Sequence, residues 1–580
     1  MAALAILVGL ALPAGKASAW DPSSPEGATG FFAQPAARAR SFMVATAHPL
    51  ASEAGREILR QGGSAADAAV AIQLVLGLVE PQSSGLGGGA FALVWDARSK
   101  RLTALDGRET APASARPDRF LAEGRPMPFR DAVLSGLSVG TPGTLRLLET
   151  LHKAHGRLPW NALVGPALRL AEDGFRVTRR LSVLLSADPA DTFTPPARDY
   201  FFDRLGSARP EGYLLRNPEY ARLLRAIARD GAAALYAGEA ADAIVAAVAT
   251  AHGRGGDLTR GDLAGYSVIE REPLCFAYRT YRICSMGPPS SGGIALAQTL
   301  GLVEPLPLGE GPRAAMNARA LHAIAEAEKL AYADRDRYVA DPAMVRQPTG
   351  LLAAAYLGRR RALIDPHAAM PRPPPGRPEE VGAARSGVDA TMETAGTTHV
   401  SIVDAERNVV SLTSTIEAGF GSRVWAGGML LNNELTDFSF APVDHDGAPI
   451  ANAVGPGKRP RSSMAPTIVF DAAGEPWAAL GSVGGSRIPL YVIKTLVALI
   501  DWRLDAQAAA ALMNFGSRGG PFEVEIGDAK AVWHALKLKP LGHRIRADSL
   551  TSGTQVILIR PDGSLEGGAD PRREGTALGD

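Results

Sequence analysis

The stretch E-T-A-G-T-T-H-V-S-I-V-D, residues 393–404, sets two threonines and a histidine directly after a glycine and directly before an alternating run of the kind that forms a β-strand. A hydroxyl is a weak nucleophile at its own pKa and needs an adjacent base; a threonine at a chain terminus carries that base as its own α-amino group. Thr397 becomes such a terminus only if the chain is cut between Gly396 and Thr397. Gly396 leaves that peptide bond open to approach, and the Thr397 hydroxyl could attack the preceding carbonyl itself in an N→O shift. Taken alone, Thr-Thr-His is also an ordinary way to begin a strand.

Other stretches compete for a chemical reading. G-L-S-V-G at 136–140 matches the nucleophile elbow that would make Ser138 a serine hydrolase nucleophile, but that elbow needs a helix straight after it and Thr141-Pro142-Gly143 follows instead. G-L-G-G-G at 85–89 resembles a phosphate loop, yet a strand rather than a helix N-terminus follows, so its glycines are read as permitting close backbone packing. His152 and His155 lie three apart on a helix, with no H-E-x-x-H pattern among the ten histidines; no metal site and no cofactor are expected.

The elements that must position these residues are legible in outline. Residues 51–79 read as two helices separated by Gly62-Gly63, the second apolar nearly all round and hence buried; A-F-A-L-V-W-D then reads as a strand. Helical patterns dominate from about 140 to 260 and return at 313–338, the proline-rich stretch 371–380 cannot continue a helix or a central strand, and from 397 onward strands take over. The layout is helices packed on strands drawn from both halves.

With 580 residues, 46% hydrophobic content and a net charge of +1, the chain can bury a large aliphatic core and presents no basic field, so a nucleic-acid partner is not expected. The apolar run from Ala3 to about Ala14, followed by Ala17-Ser18-Ala19, reads as a signal peptide over residues 1–19, and no later segment is apolar for the roughly 20 residues that a membrane span requires. Cys275 and Cys284 flank a possible Tyr-Arg-Thr-Tyr turn: a cross-hairpin disulfide and two reduced thiols both fit.

Seven stretches in order give the opening motif its company: S-S-G-L-G-G-G-A-F (83–91), D-G-R-E-T-A-P (106–112), P-P-S-S-G-G (288–293), T-T-H-V-S (397–401), L-L-N-N-E-L-T-D-F-S (430–439), G-K-R-P-R-S-S-M-A-P-T (457–467) and G-S-V-G-G-S-R-I (481–488). Together they resemble the γ-glutamyltranspeptidase (glutathione hydrolase) family from near residue 42 to the C-terminus. The resemblance implies an α+β, four-layer αββα N-terminal-nucleophile hydrolase, made as one chain that cuts itself between Gly396 and Thr397 into a large subunit, 20–396, and a small subunit, 397–580, which stay paired. It implies Thr397 as nucleophile toward glutathione or a related γ-glutamyl compound, Thr415 as the residue orienting it, and the Gly484-Gly485 backbone as the oxyanion site. A γ-glutamyl group offers a free α-carboxylate and a free α-ammonium; the resemblance assigns the first to Arg108, Ser462 and Ser463, and the second to Asp437, Glu434 and Glu417.

This sequence departs from the family in three places. Glu417 stands where many relatives carry asparagine, Val483 replaces a proline before the paired glycines, and residues 439–450 look like a shortened lid without tyrosine, which implies a more open site. The alternative function is a cephalosporin-type amide acylase on the same fold, which keeps Thr397 and the glycines without needing Arg108 and Asp437 as an amino-acid clamp; a processed but silent binding protein for γ-glutamyl peptides is the third reading. The expected location is outside the cytoplasm, in the periplasm or secreted.

Overall fold

The computed structural model describes residues 27–379, 386–394, 396–527 and 529–580. The expected signal peptide lies outside the described residues. Two seven-stranded antiparallel sheets are stacked face to face. The first runs Thr576–Gly579, Met43–Thr46, Gly396–Val403, Val409–Glu417, Gly89–Asp96, Arg101–Gly107, Ile269–Arg271. The second runs Ala37–Ala39, Leu565–Ala569, Gln555–Ile559, Pro476–Gly481, Thr467–Phe470, Tyr281–Ser285, Leu274–Tyr278. Both sheets interleave strands from before and after residue 396, so a cut there leaves two chains that share both sheets.

Helices close both outer faces. Ala65–Val79 starts from a capping box in which Ser64 and Asp67 satisfy each other's backbone N–H, and it is buried all round because it lies between other helices and the first sheet. Ala68, Ile72 and Val75 share a core with Val400, Ile402, Val410 and Leu412. On the far side, Gly292–Val303 and Ile488–Ile500 pack Leu296, Leu300, Val492 and Leu496 into a core with Ile283, Ile468 and Leu480. The result is an α+β, four-layer αββα sandwich.

Because the strands Gly396–Val403 and Val409–Glu417 are buried on both faces, polarity along them is set by what each face meets. In Gly396–Val403 the even positions Val400 and Ile402 face the helices, whereas His399 and Ser401 face the second sheet. His399 is held by Thr413 (2.8 Å) and Ser401 (3.1 Å), and burial lowers its pKa to about 3, so it is neutral filling rather than a base. A Cβ on Gly481 would sit 2.3 Å from its ring; the opposing strand can approach only as glycine.

Cys275 and Cys284 are directly opposed across the hairpin Leu274–Tyr278/Tyr281–Ser285 and are joined as a disulfide. The turn is Arg279-Thr280, closed by the pair Tyr278 and Tyr281. No described helix is long and apolar enough to cross a membrane.

Candidate active site

The scissile candidate lies at an irregularity in the first sheet. Gly396 pairs with Glu417 and Thr397 with Thr415, so Ile416 is an extra residue and the ladder is broken at the Gly396–Thr397 peptide. Ile416 turns its side chain into the helix-side core, and Glu417 takes a left-handed φ of 78°, a strained value for a residue with a Cβ. The bulge brings two hydroxyls and one carbonyl together. Thr397 Oγ donates to Thr415 Oγ at 3.4 Å, and Thr415 Oγ donates to the Gly396 carbonyl at 2.5 Å. Thr415 Oγ also accepts the Glu417 N–H at 2.8 Å. Behind them, Arg573 donates to the Thr397 carbonyl at 3.4 Å, and Thr398 donates to Glu80 at 2.9 Å.

These groups open into a narrow cleft that is also lined by Arg108, Glu393, Glu417, Glu434, Asp437, Ser462, Ser463 and Gly485. The sequence-predicted residues therefore converge. Gly484 lies just behind the wall: its φ of 131° and a would-be Cβ only 2.6 Å from the Tyr491 ring restrict it to glycine, and it leads through the short turn Gly485–Arg487 into Ile488–Ile500.

The L-L-N-N-E-L-T-D motif is a bracket. Asn432 donates to the carbonyls of Gly87 (2.7 Å) and Gly140 (2.9 Å), Asn433 donates to Glu417 at 2.7 Å, and the turn Glu434–Asp437 sets two carboxylates three residues apart on one side. Both reach Arg108: Glu434 as a close ion pair and Asp437 at 2.6 Å. In the uncut chain the Arg108 fork is met by Glu434 and Asp437 and by the carbonyls of Pro460 and Arg461. Burial alone would favour its neutral form, but the two carboxylates hold its pKa above the ordinary arginine value. One guanidinium does not satisfy this much acid. Glu109 is fully buried beside Arg108, where its carboxyl shares a hydrogen bond with that of Glu434, and Asp437 Oδ1 has no partner. Burial pushes Glu109 and Glu417 up to about 7, and Glu434 and Asp437 well above the usual carboxylate range.

A second cationic corner went unnoticed in the sequence. Arg335, from the helix Ala318–Tyr338, and Arg461 both pair with Glu393, and Ser463 donates to the same carboxylate at 2.9 Å. Arg461 adjoins the quoted Ser462-Ser463 and could have been suspected, as could Glu109 beside Arg108; Arg335 and Arg573 carry no local signal. Ser462 is braced by P-P-S-S-G-G, since its carbonyl accepts from Ser291 N–H and Oγ, both at 2.7 Å, and its N–H donates to Pro289 O at 3.0 Å.

The rejected motifs fall where packing, not chemistry, places them. Ser138 is buried in a 3-10 turn and donates to the carbonyls of Val133 (2.9 Å) and Ser135 (2.8 Å). Gly87 and Gly88 pass so close to Leu430 and Thr415 that a Cβ would meet their carbonyl oxygens at 2.1 and 1.9 Å, which confirms the packing role read for G-L-G-G-G. The histidine pattern hid one cluster: His322, Glu326 and His543 come together in the core, with the Lys329 ammonium 2.7 Å from Glu326. Residues 439–450 form a compact turn around Asp444 and, with Met127, Phe129 and Met392, line a mostly apolar cavity of about 420 Å3.

The family described as Gamma-glutamyltranspeptidase matches residues 51–580. The glutathione hydrolase proenzyme of Bacillus subtilis (strain 168) is 36% identical over 549 residues, 93% of this chain and 91% of that one. The glutathione hydrolase proenzyme of Escherichia coli (strain K12) is 37% identical over 552 residues, 92% and 91% of the two chains. Among solved structures, a cephalosporin acylase from Bacillus halodurans superposes with a TM-score of 0.82 at 30% identity, covering 94% of this chain and 97% of its own.

Proposed function

Since the chain belongs to the γ-glutamyltranspeptidase family, we propose that it is a γ-glutamyltransferase and glutathione hydrolase that matures by cutting itself between Gly396 and Thr397. The observation that carries this reading is the Thr415 hydroxyl, which accepts from the nucleophile and donates to the carbonyl that the nucleophile must attack. Attack of Thr397 Oγ on the Gly396 carbonyl carbon breaks the C–N bond, leaves a Gly396 ester on the threonine oxygen and passes the hydroxyl proton to the departing α-nitrogen. Water hydrolyses that ester. The large subunit, 20–396, then ends in a carboxylate, and the small subunit, 397–580, begins with the free α-amino base. The shared layers keep the two together, and both bacterial relatives are named proenzymes, which supports a precursor.

In turnover, Thr397 Oγ gives its proton to its own amine and attacks the γ-carbonyl of a γ-glutamyl amide. Gly484 and Gly485 supply backbone N–H groups to the oxyanion, the amine returns the proton to the leaving nitrogen, and water or an acceptor amine resolves the γ-glutamyl ester. The substrate's α-ammonium brings three donors to the acid-rich side, where Asp437 Oδ1 lacks a partner and Glu434 and Glu417 line the same cleft. Its α-carboxylate goes to Ser462, Ser463 and the arginines beside them, with Arg108 completing the clamp through its two carboxylates. The disulfide at Cys275–Cys284 supports export, with residues 1–19 as signal peptide and the periplasm as destination.

The test is intact mass spectrometry of wild type beside Thr397→Ala, followed by a γ-glutamyl-anilide assay. Two chains with the smaller starting at Thr397, a mutant that stays whole, and γ-glutamyl turnover support the reading; a wild type that stays uncut removes it. The acylase-like superposition favours a second reading, a cephalosporin-type amide acylase. Faster hydrolysis of a glutaryl amide, which lacks the α-ammonium, than of the matching γ-glutamyl amide would select it.

A further inference from the structure

We propose that Glu393 is an internal stand-in for a substrate carboxylate: in the uncut chain it occupies the anion subsite of the cleft and by that anchor positions the scissile peptide. This rests on the self-cutting reading above. Glu393 lies four residues ahead of Thr397, has a side chain only 6% exposed, and lines the same cleft as Thr397, Thr415 and Ser463. Its carboxylate is met by Arg335, by Arg461 at 3.1 Å and by the Ser463 hydroxyl at 2.9 Å. Two guanidinium groups and a hydroxyl are what selects a carboxylate, and this pairing holds the Glu393 carboxyl down at about 2 although burial works the other way.

The corner is built rather than improvised. Arg335 is itself fixed by Ser291 (2.9 Å), by Ser463 (2.7 Å) and by Asp336 (2.8 Å), and Arg461 is also paired with Asp389 at 3.1 Å. The next residue is clamped by a different carboxylate: Thr394 N–H donates to Glu417 at 3.1 Å, and its hydroxyl pairs with the other oxygen of the same carboxylate. Glu393 and Thr394 are therefore each pinned within the cleft immediately before the bulge that presents Gly396 to the nucleophile. The chain itself thus fills the place that a γ-glutamyl group takes later, and the anion subsite falls vacant only when the cut releases this segment. The groups that would bind substrate are used first to hold the peptide.

Two measurements test this. In the first, self-cutting of purified full-length protein is timed for wild type, Glu393→Ala and Glu393→Gln. The expected result is a slowing of about 10- to 100-fold for alanine, the scale on which a misplaced reacting group costs rate, with glutamine between because it keeps the Ser463 hydrogen bond and loses the charge. Alanine cut at the wild-type rate overturns the proposal. In the second, L-glutamate binding to uncut chains is measured by calorimetry. Thr397→Ala should bind none, and Thr397→Ala/Glu393→Ala should bind it; binding by the first, or none by the second, overturns the stand-in. A purely structural ion pair would change melting temperature without opening a glutamate site. The second measurement needs no cutting, so a wild type that stays whole removes the proposed function and leaves this inference to be judged on glutamate binding.

Discussion

The Thr415 hydroxyl lies 2.5 Å from the carbonyl oxygen of Gly396, one rung across the sheet, while accepting from Thr397 Oγ at 3.4 Å. A single hydroxyl therefore both orients the nucleophile and polarises the bond it attacks. Thr415→Val keeps the shape and removes the donor. Loss of one preorganised donor to a developing oxyanion typically costs about 100- to 1,000-fold, so the uncut chain should accumulate by that factor on a time course followed by gel or mass, with Thr415→Ser close to wild type. Equal rates for valine and wild type would show that the hydrogen bond plays no part.

Asp437 connects Arg108 to the open side of the cleft, with Oδ2 at 2.6 Å from the guanidinium and Oδ1 unpartnered. Asp437→Ala removes the ammonium acceptor and one of the two carboxylates that hold Arg108. Breaking a buried charge pair costs at least about 2 kcal/mol, which is about 30-fold in kcat/KM for a γ-glutamyl amide. The loss should fall on KM, because the ammonium is held alike in ground and transition states. A fall confined to kcat would assign Asp437 to the chemical step instead.

Glu109 gives a pH dependence whose sign follows from its surroundings. Burial is the largest influence on its carboxyl; Arg108, a backbone N–H and a hydrogen bond with Glu434 work against it, Asp437 adds to it, and the phenols of Tyr236 and Tyr266 lie near it. Burial raises it to about 7, so folding is favoured by the protonated form: that stabilisation is complete below the ordinary carboxylate pKa and is lost as pH rises through about 7. Glu109→Gln should therefore melt higher than wild type at about pH 8, by on the order of 1–3 kcal/mol, with the gap closing near pH 5. A gap that widens on acidification would contradict the assignment.

Much of the candidate site was legible in the chain because it is held by short motifs that are nearly contiguous in space. Glu434 and Asp437 share one turn, Ser462 and Ser463 are adjacent, and Thr397 begins a strand whose partner strand carries Thr415. The helix at 64–79 and the strands after 397 were legible for the same reason: capping and periodicity are local. The sequence could also show that Thr397 has the glycine before it that a cut requires, and that Cys275 and Cys284 flank a turn.

What tertiary structure alone decided is who pairs with whom. Arg108 is held by Glu434 and Asp437, more than 300 residues away, a pairing that no local motif marks. Arg335 and Arg573 reach the site from a helix and from near the C-terminus with no motif to mark them, and the bulge at Ile416 exists only because two strands meet out of register. Electrostatics inside a dry cleft depends on the whole set of charges gathered there, at distances set by packing. The order of residues along a chain fixes neither.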